Sequence, residues 1–254
     1  MNVIKGFIIA FSMFSKIPMP NVKWEDKNLQ YVFCFFPLIG LVIGALCMGW
    51  FALCQHFELN SVVFAIGSLA ISFVVTGGIH LDGFMDTSDA MSSHREKERM
   101  IEILDDSHIG AFAVIKTILY FLIYFAALTC VKNMWQVGMV MVSLFGVRAL
   151  AVCVLLSADN LKESGLLCTF KSNANKIITG VFTIAFLFMS MAALESINIL
   201  LGVVVVVALF LCAIYFIRFV INKFGGVSGD LIGYFICISE LVSVVVIGLG
   251  GVVL

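Results

Sequence analysis

The sequence predicts an all-α integral membrane protein of about seven transmembrane helices, with a cytoplasmic acidic loop and an N-terminal interfacial or re-entrant segment. Three observations predict it. Of 254 residues, 62% are hydrophobic and only 12% charged, against about 45–50% and about 25% in a soluble domain. Apolar runs of about 20 residues recur along the chain, the length a helix needs to satisfy its own backbone in hydrocarbon. The basic residues between the runs fall almost all on one side of the spans. Three prolines and no polar low-complexity tract interrupt the chain, so residues 1–254 read as a single polytopic membrane domain without linker or internal repeat.

At the N-terminus, Lys5 leads into an apolar stretch over 6–14 that Lys16, Pro18 and Pro20 cut short. No small-x-small cleavage site follows, so the stretch is expected at the cytoplasmic interface, held by Lys5 and Lys16. Spans are expected over 31–54, 60–79, 111–131, 134–156, 176–194, 197–220 and 231–254. Lys23 and Lys27, then Arg95, Lys97 and Arg99, then Lys162 and Lys171, then Lys223 lie on one side of these spans, and Lys132 alone on the other. The positive-inside rule makes the first side cytoplasmic, in a cell (inner, cytoplasmic) membrane, with the N-terminus inside and the C-terminus outside. Residues 77–110, 157–175 and 222–230 then face the cytoplasm. A net charge of −1 gives nucleic acid nothing to bind. Seven of the eight cysteines sit in apolar runs, Cys168 lies in a loop, and no CxxC occurs, so they are expected to be packing residues rather than a metal or disulfide framework.

The chemistry concentrates in the first inner segment. Asp82, Asp86 and Asp89 stand at i, i+4 and i+7, one face of a helix. Like charges so placed repel by a few tenths of a kcal/mol per pair, which a bound cation would relieve. Oxygen donors without thiols favour Mg²⁺ or Mn²⁺, the ions that chelate phosphates. Gly77, Gly78 and Gly83 permit close backbone approach beside these carboxylates. A second acidic pair, Asp105 and Asp106, follows an amphipathic stretch over 93–104 whose Met100, Ile101 and Leu104 are expected to lie back on the membrane surface. That would return the pair toward the first cluster, to complete a metal site or to take a proton from an attacking hydroxyl.

Charges inside the spans cost about 2.5–3.5 kcal/mol each at a helix centre. Arg148, Lys116 and Glu240, the last roughly 15 Å along its helix, are therefore expected to be functional or paired, or in the case of Lys116 to snorkel. The loop 224–230, with Gly226, Gly229 and Asp230, runs into a helix and is a place where backbone N–H groups can cradle a phosphate. His80 and His108 border the acidic segments, and His80 is a candidate substrate contact.

These residues resemble the cobalamin synthase family, the adenosylcobinamide-GDP ribazoletransferases. The resemblance is carried by Phe36-Pro-Leu-Ile-Gly-Leu, by Gly77-Gly-Ile-His-Leu-Asp-Gly-Phe-Met-Asp-Thr-Ser-Asp89, by Ile103-Leu-Asp-Asp-Ser-His-Ile-Gly110, and by Gly225-Gly-Val-Ser-Gly-Asp230 with Glu240. It implies a membrane-bound, Mg²⁺-dependent enzyme joining adenosylcobinamide-GDP to α-ribazole or its 5′-phosphate and releasing GMP. Asp82, Asp86 and Asp89 would hold Mg²⁺ and the pyrophosphate. The lipid bilayer, these substrates and other late cobalamin-pathway enzymes are the expected partners. The chain departs from the family pattern at Ala90-Met-Ser-Ser93, where glycines are usual, at His108 and around Asp159-Asn160, where arginines are expected. Two rivals remain at the level of residues. One is a CDP-alcohol phosphotransferase, although its D-x-x-D-G-x-x-A-R start is absent. The other is an ion-coupled transporter using Arg148 and Glu240 as a relay.

Overall fold

Two left-handed glycines shape the end of the molecule that matters for function. The computed structural model describes residues 2–106 and 108–253. Its helices are α1 (Asn2–Phe14), α2 (Asp26–Leu29), α3 (Val32–His56), α4 (Ser61–Thr76), α5 (Ile79–Ser92) and α6 (Lys97–Leu104), followed by α7 (Ala111–Thr129), α8 (Met134–Ser157), α9 (Leu166–Asn173), α10 (Lys176–Ile197), α11 (Ile199–Lys223) and α12 (Gly229–Val253). Among the described residues there is no strand. Helices α3, α7, α8, α10, α11 and α12 are long and apolar enough to cross a membrane, and α4 with α5 forms a further, bent element. This is the all-α, multi-pass architecture that the apolar runs predict.

The run over 60–79 does not continue as one rod. Gly77 and Gly78 adopt φ of 64° and 78°, backbone that costs a side chain-bearing L residue about 1–2 kcal/mol. They turn α5 by 94° from α4, so α5 crosses the direction of α4 instead of continuing it. Helix α1 ends at the same bend, where the Lys16 N–H donates to the Val75 carbonyl at 2.7 Å. With 13 residues α1 is too short to span, and it lays Ile9, Ala10 and Phe11 into the protein core.

Helix α8 is the axis of the bundle: 83% of its apolar window is buried, against 22% for α10 and 33% for α11, which turn large aliphatic and aromatic faces outward. Lipid is as apolar as a leucine, so close packing rather than exclusion from water must hold such helices together. Gly40 of α3 accordingly lies against the Leu144 backbone of α8, and Gly44 against Met141. At the helix starts, Asn60, Asn175 and Asn198 cap α4, α10 and α11 with their side chains, and at α8 Gln136 Oε1 accepts from the Lys132 and Asn133 N–H groups, satisfying donors that would otherwise be left bare near hydrocarbon. One expectation is corrected. Met100 and Leu104 of α6 are buried in the protein core, not laid on a membrane surface, so α6 is a cover for the bundle end.

Candidate active site at the bundle edge

Helix α5 runs over the first turns of α12 and α7, and glycines make the first crossing close. A Cβ added at Gly83 would fall 2.6 Å from the Asp230 Cα, and one at Gly233 would fall 3.0 Å from the His80 carbonyl. Only backbone fits there, and this contact sets Asp82 and Asp86 beside Asp230. Phe84 locks the crossing by stacking on Tyr234, with ring centroids 5.4 Å apart and planes 8° apart, and by packing on Tyr120. Farther along, the Lys116 ammonium donates to the Ser88 carbonyl at 3.2 Å, and Asp89 lies against Gly110.

The three aspartates predicted from spacing thus share α5, and Asp230 joins them from α12. Burial, followed by the charges of Asp82, Asp230 and Asp89, pushes the Asp86 carboxyl up to about 7. The row concentrates negative charge that Lys116, near Asp89, and Lys162, near Asp230, offset only in part. Its donors are oxygens alone, the chemistry of a hard cation. Among the described residues no three acidic, histidine or cysteine side chains already converge on one point, so ligation requires carboxylates on adjoining backbones to rotate inward.

The loop before α12 is tied down. The Val227 N–H donates to the Asp159 carbonyl and the Leu161 N–H to the Val227 carbonyl, each at 2.8 Å. Gly226 is buried at this tether, where a Cβ would meet Asp159 and Asn160 backbone at 2.9 Å, whereas Gly229 faces open space. Ser228 Oγ accepts from the Leu231 N–H at 3.2 Å, capping α12 and leaving first-turn N–H groups available. Lys97 lies against Gly225.

Asp105 and Asp106 separate. Asp105 pairs with Lys162, and its charge is felt at Asp230. Asp106 is exposed and bonds His108 Nδ1 at 2.6 Å, which holds its carboxyl below the usual carboxylate range. Arg148 and Glu240 are brought to each other, Nη1 to Oε1 at 2.7 Å, with side chains 1% and 10% exposed. Arg148 also donates to the Leu144 carbonyl at 2.9 Å, so its charge is engaged below the row. Lys162, Lys97 and the Asp159 tether were not singled out in the sequence as site residues, because a loop lysine reads as a topological charge until its partner is seen.

Three spaces flank the row, one of them an open pocket of about 510 Å³ beside Asp82 that Lys16, Gly77 and Met85 also line. At the Asp82 end is a cavity of about 190 Å³ lined by aromatic and aliphatic side chains with His80, Asp82 and Asp230. At the Asp89 end is an open groove bearing Arg95 and Arg99.

Comparison with known proteins gives the family. The family model described as cobalamin-5-phosphate synthase matches residues 6–248. An adenosylcobinamide-GDP ribazoletransferase of Lachnoclostridium phytofermentans is 36% identical over 245 residues, covering 96% of this chain and 93% of the relative. One of Clostridium perfringens is 31% identical over 251 residues, covering 96% and 98%, and one of Halalkalibacterium halodurans 29% over 238 residues, covering 91% and 90%. No solved structure matches. With nearly its whole length matched, the chain belongs to the cobalamin-5-phosphate synthase family and is a transferase of cobalamin biosynthesis.

Proposed function

We propose that this chain, embedded in the cell membrane with its acidic row toward the cytoplasm, joins adenosylcobinamide-GDP to α-ribazole or its 5′-phosphate and releases GMP in a Mg²⁺-dependent reaction. The observation that carries the reading is the row of Asp82, Asp86 and Asp89 meeting Asp230 where α5 crosses α12. The names of the relatives support the substrates.

The reaction is a displacement at phosphorus. The ribazole hydroxyl oxygen bonds to the cobinamide-side phosphorus, the bond from that phosphorus to the bridging oxygen breaks, and GMP departs with the electron pair. Asp82, Asp86, Asp89 and Asp230 would hold Mg²⁺, which when bound supplies charge neutralisation at the diphosphate. Lys116, beside Asp89, and the first-turn N–H groups of α12 offer further positive ends to phosphate oxygens. Asp105, its charge already felt at Asp230, takes the hydroxyl proton. Asp106 is assigned no part, since His108 engages it away from the row. Arg148 and Glu240 hold α8 to α12 beneath the site, and their mutual pairing removes the relay a transporter would need.

The test is direct. Protein purified into nanodiscs is incubated with adenosylcobinamide-GDP and α-ribazole, with Mg²⁺ or with chelator, beside Asp82→Asn and Asp86→Asn variants. GMP release should require the metal and fall by at least about 100-fold in both variants. Full activity in either folded variant, or no product from the unaltered protein, would refute the proposal.

A further inference from the structure

Away from Asp82 and Asp230, the walls of the cavity at the Asp82 end are apolar and offer a diphosphate nothing. Its walls include Phe14 of α1, Phe33 and Phe36 of α3, Ala151 and Leu155 of α8 and Phe170 of α9. Phe170 packs against Phe14 and Phe33, with ring centroids 6.2 and 6.3 Å away, so the lining is a continuous aromatic surface. Polar groups enter from His80, Asp82 and Asp230 of α5 and α12. Phe36 meets the His80 ring edge to face at 5.8 Å, and His80 Nε2 is buried with no hydrogen-bond partner among the described residues. A buried polar nitrogen left so is penalised unless something bonds it.

We propose that this cavity seats the fused aromatic base of the ribazole, with the His80 imidazole turned to meet its free ring nitrogen and its ribose toward Asp82 and Asp230. The assignment rests on the ribazoletransferase reading given above. Three considerations select this occupant. The cavity of about 190 Å³ has room for a two-ring system and none for a corrin macrocycle. A guanine would bury several donors and acceptors against phenylalanines, each unpaired group being penalised, whereas a dimethylbenzimidazole presents methyl groups, ring faces and one acceptor nitrogen, which need apolar walls and one polar partner. The two ends of α5 are also opposite in kind. The groove at Asp89 is polar, with Arg95 and Arg99 beside Asp89 and Glu96, and suits a polar nucleotide better than phenylalanine walls do, whereas the aromatic end suits the apolar reactant, with the carboxylate row between them.

The full-length protein in nanodiscs tests this with α-ribazole itself. Ala151→Phe fills the cavity and should raise both the Kd of α-ribazole for the metal-free protein and its KM by at least about tenfold, with the KM for adenosylcobinamide-GDP within about twofold. The indole riboside, which lacks the ring nitrogen, should bind the unaltered protein about tenfold more weakly than α-ribazole, and His80→Ala should abolish that difference. Leu155→Ala, which enlarges the space, should admit a bulkier naphthimidazole riboside and serves should Ala151→Phe fail to fold. An unchanged α-ribazole KM in folded Ala151→Phe, a shift confined to adenosylcobinamide-GDP, or a phospholipid displaced from the cavity by Ala151→Phe with ribazole kinetics intact would each overturn the assignment. If the unaltered protein binds α-ribazole in an Ala151→Phe-sensitive manner but makes no product, the proposed reaction fails while the pocket stands. If product forms and its ribazole dependence ignores Ala151→Phe, the pocket fails while the reaction stands.

Discussion

Replacing Gly83 by alanine adds one methyl group at the point where α5 touches α12. The new Cβ would fall 2.6 Å from the Asp230 Cα and carbonyl oxygen, where ordinary contact begins at 3.4–4 Å. Both atoms belong to backbone, so no side-chain rotation relieves the clash, and the helices must part by about 1 Å, a displacement able to cost about 100-fold in rate when it separates catalytic groups. The same overpacking should cost about 1–3 kcal/mol of stability, too little to unfold a well-packed bundle. Turnover of Gly83→Ala in nanodiscs should therefore fall about 100-fold while its helical circular dichroism and melting remain close to those of the parent. Gly180→Ala, at a position with nothing within 4 Å of the added Cβ, is the matched control and should change neither. A folded Gly83→Ala protein with turnover within about threefold of the parent would show that the α5–α12 contact does not set the geometry of the reacting groups.

Arg148→Met should destabilise the protein by about 3–5 kcal/mol by stranding Glu240, and Glu240→Gln in the same chain should recover most of that loss; unfolding in mixed micelles reads both. Gly77→Ala forces a side chain into φ of 64° and should cost about 1–2 kcal/mol by the same measurement. Lys162→Ala removes a pair whose side chains are 41% and 50% exposed, so its melting temperature should barely move, reflecting about 0–1 kcal/mol. The Asp86 carboxyl, raised from 3.8 to about 7, favours the folded state when protonated. That contribution is fully present below pH about 4 and is lost as pH rises through about 7. Chelator-treated protein should thus lose thermal stability across this window, and Asp86→Asn should lose less of it.

The spans were legible because bilayer thickness imposes a run length that composition betrays at once, and helix ends such as Val32 and Ser157 fall within a residue or two of the apolar limits. The face shared by Asp82, Asp86 and Asp89 was legible because helical periodicity is local. What joins the row from elsewhere was not. Asp230 reaches it through a backbone contact between helices almost 150 positions apart, and a glycine at each side of a crossing carries no address. Arg148 and Glu240 each stood out by their cost in hydrocarbon, yet nothing local pairs residues 92 positions apart. Helix α6 was misplaced for a different reason: an amphipathic stripe of Met100, Ile101 and Leu104 is equally consistent with a lipid surface and a protein surface, and only the fold chooses.

Helix α12 is synthesised well over a hundred residues after α5, and it brings Asp230, the open Gly229 and one wall of the aromatic chamber. Chains fold from the N-terminus during synthesis, so α5 must wait with its acidic side chains uncovered until α12 has been inserted. A polypeptide cut short before α12 therefore holds half of a reaction centre and can turn over nothing, which confines activity to molecules in which α12 is in place.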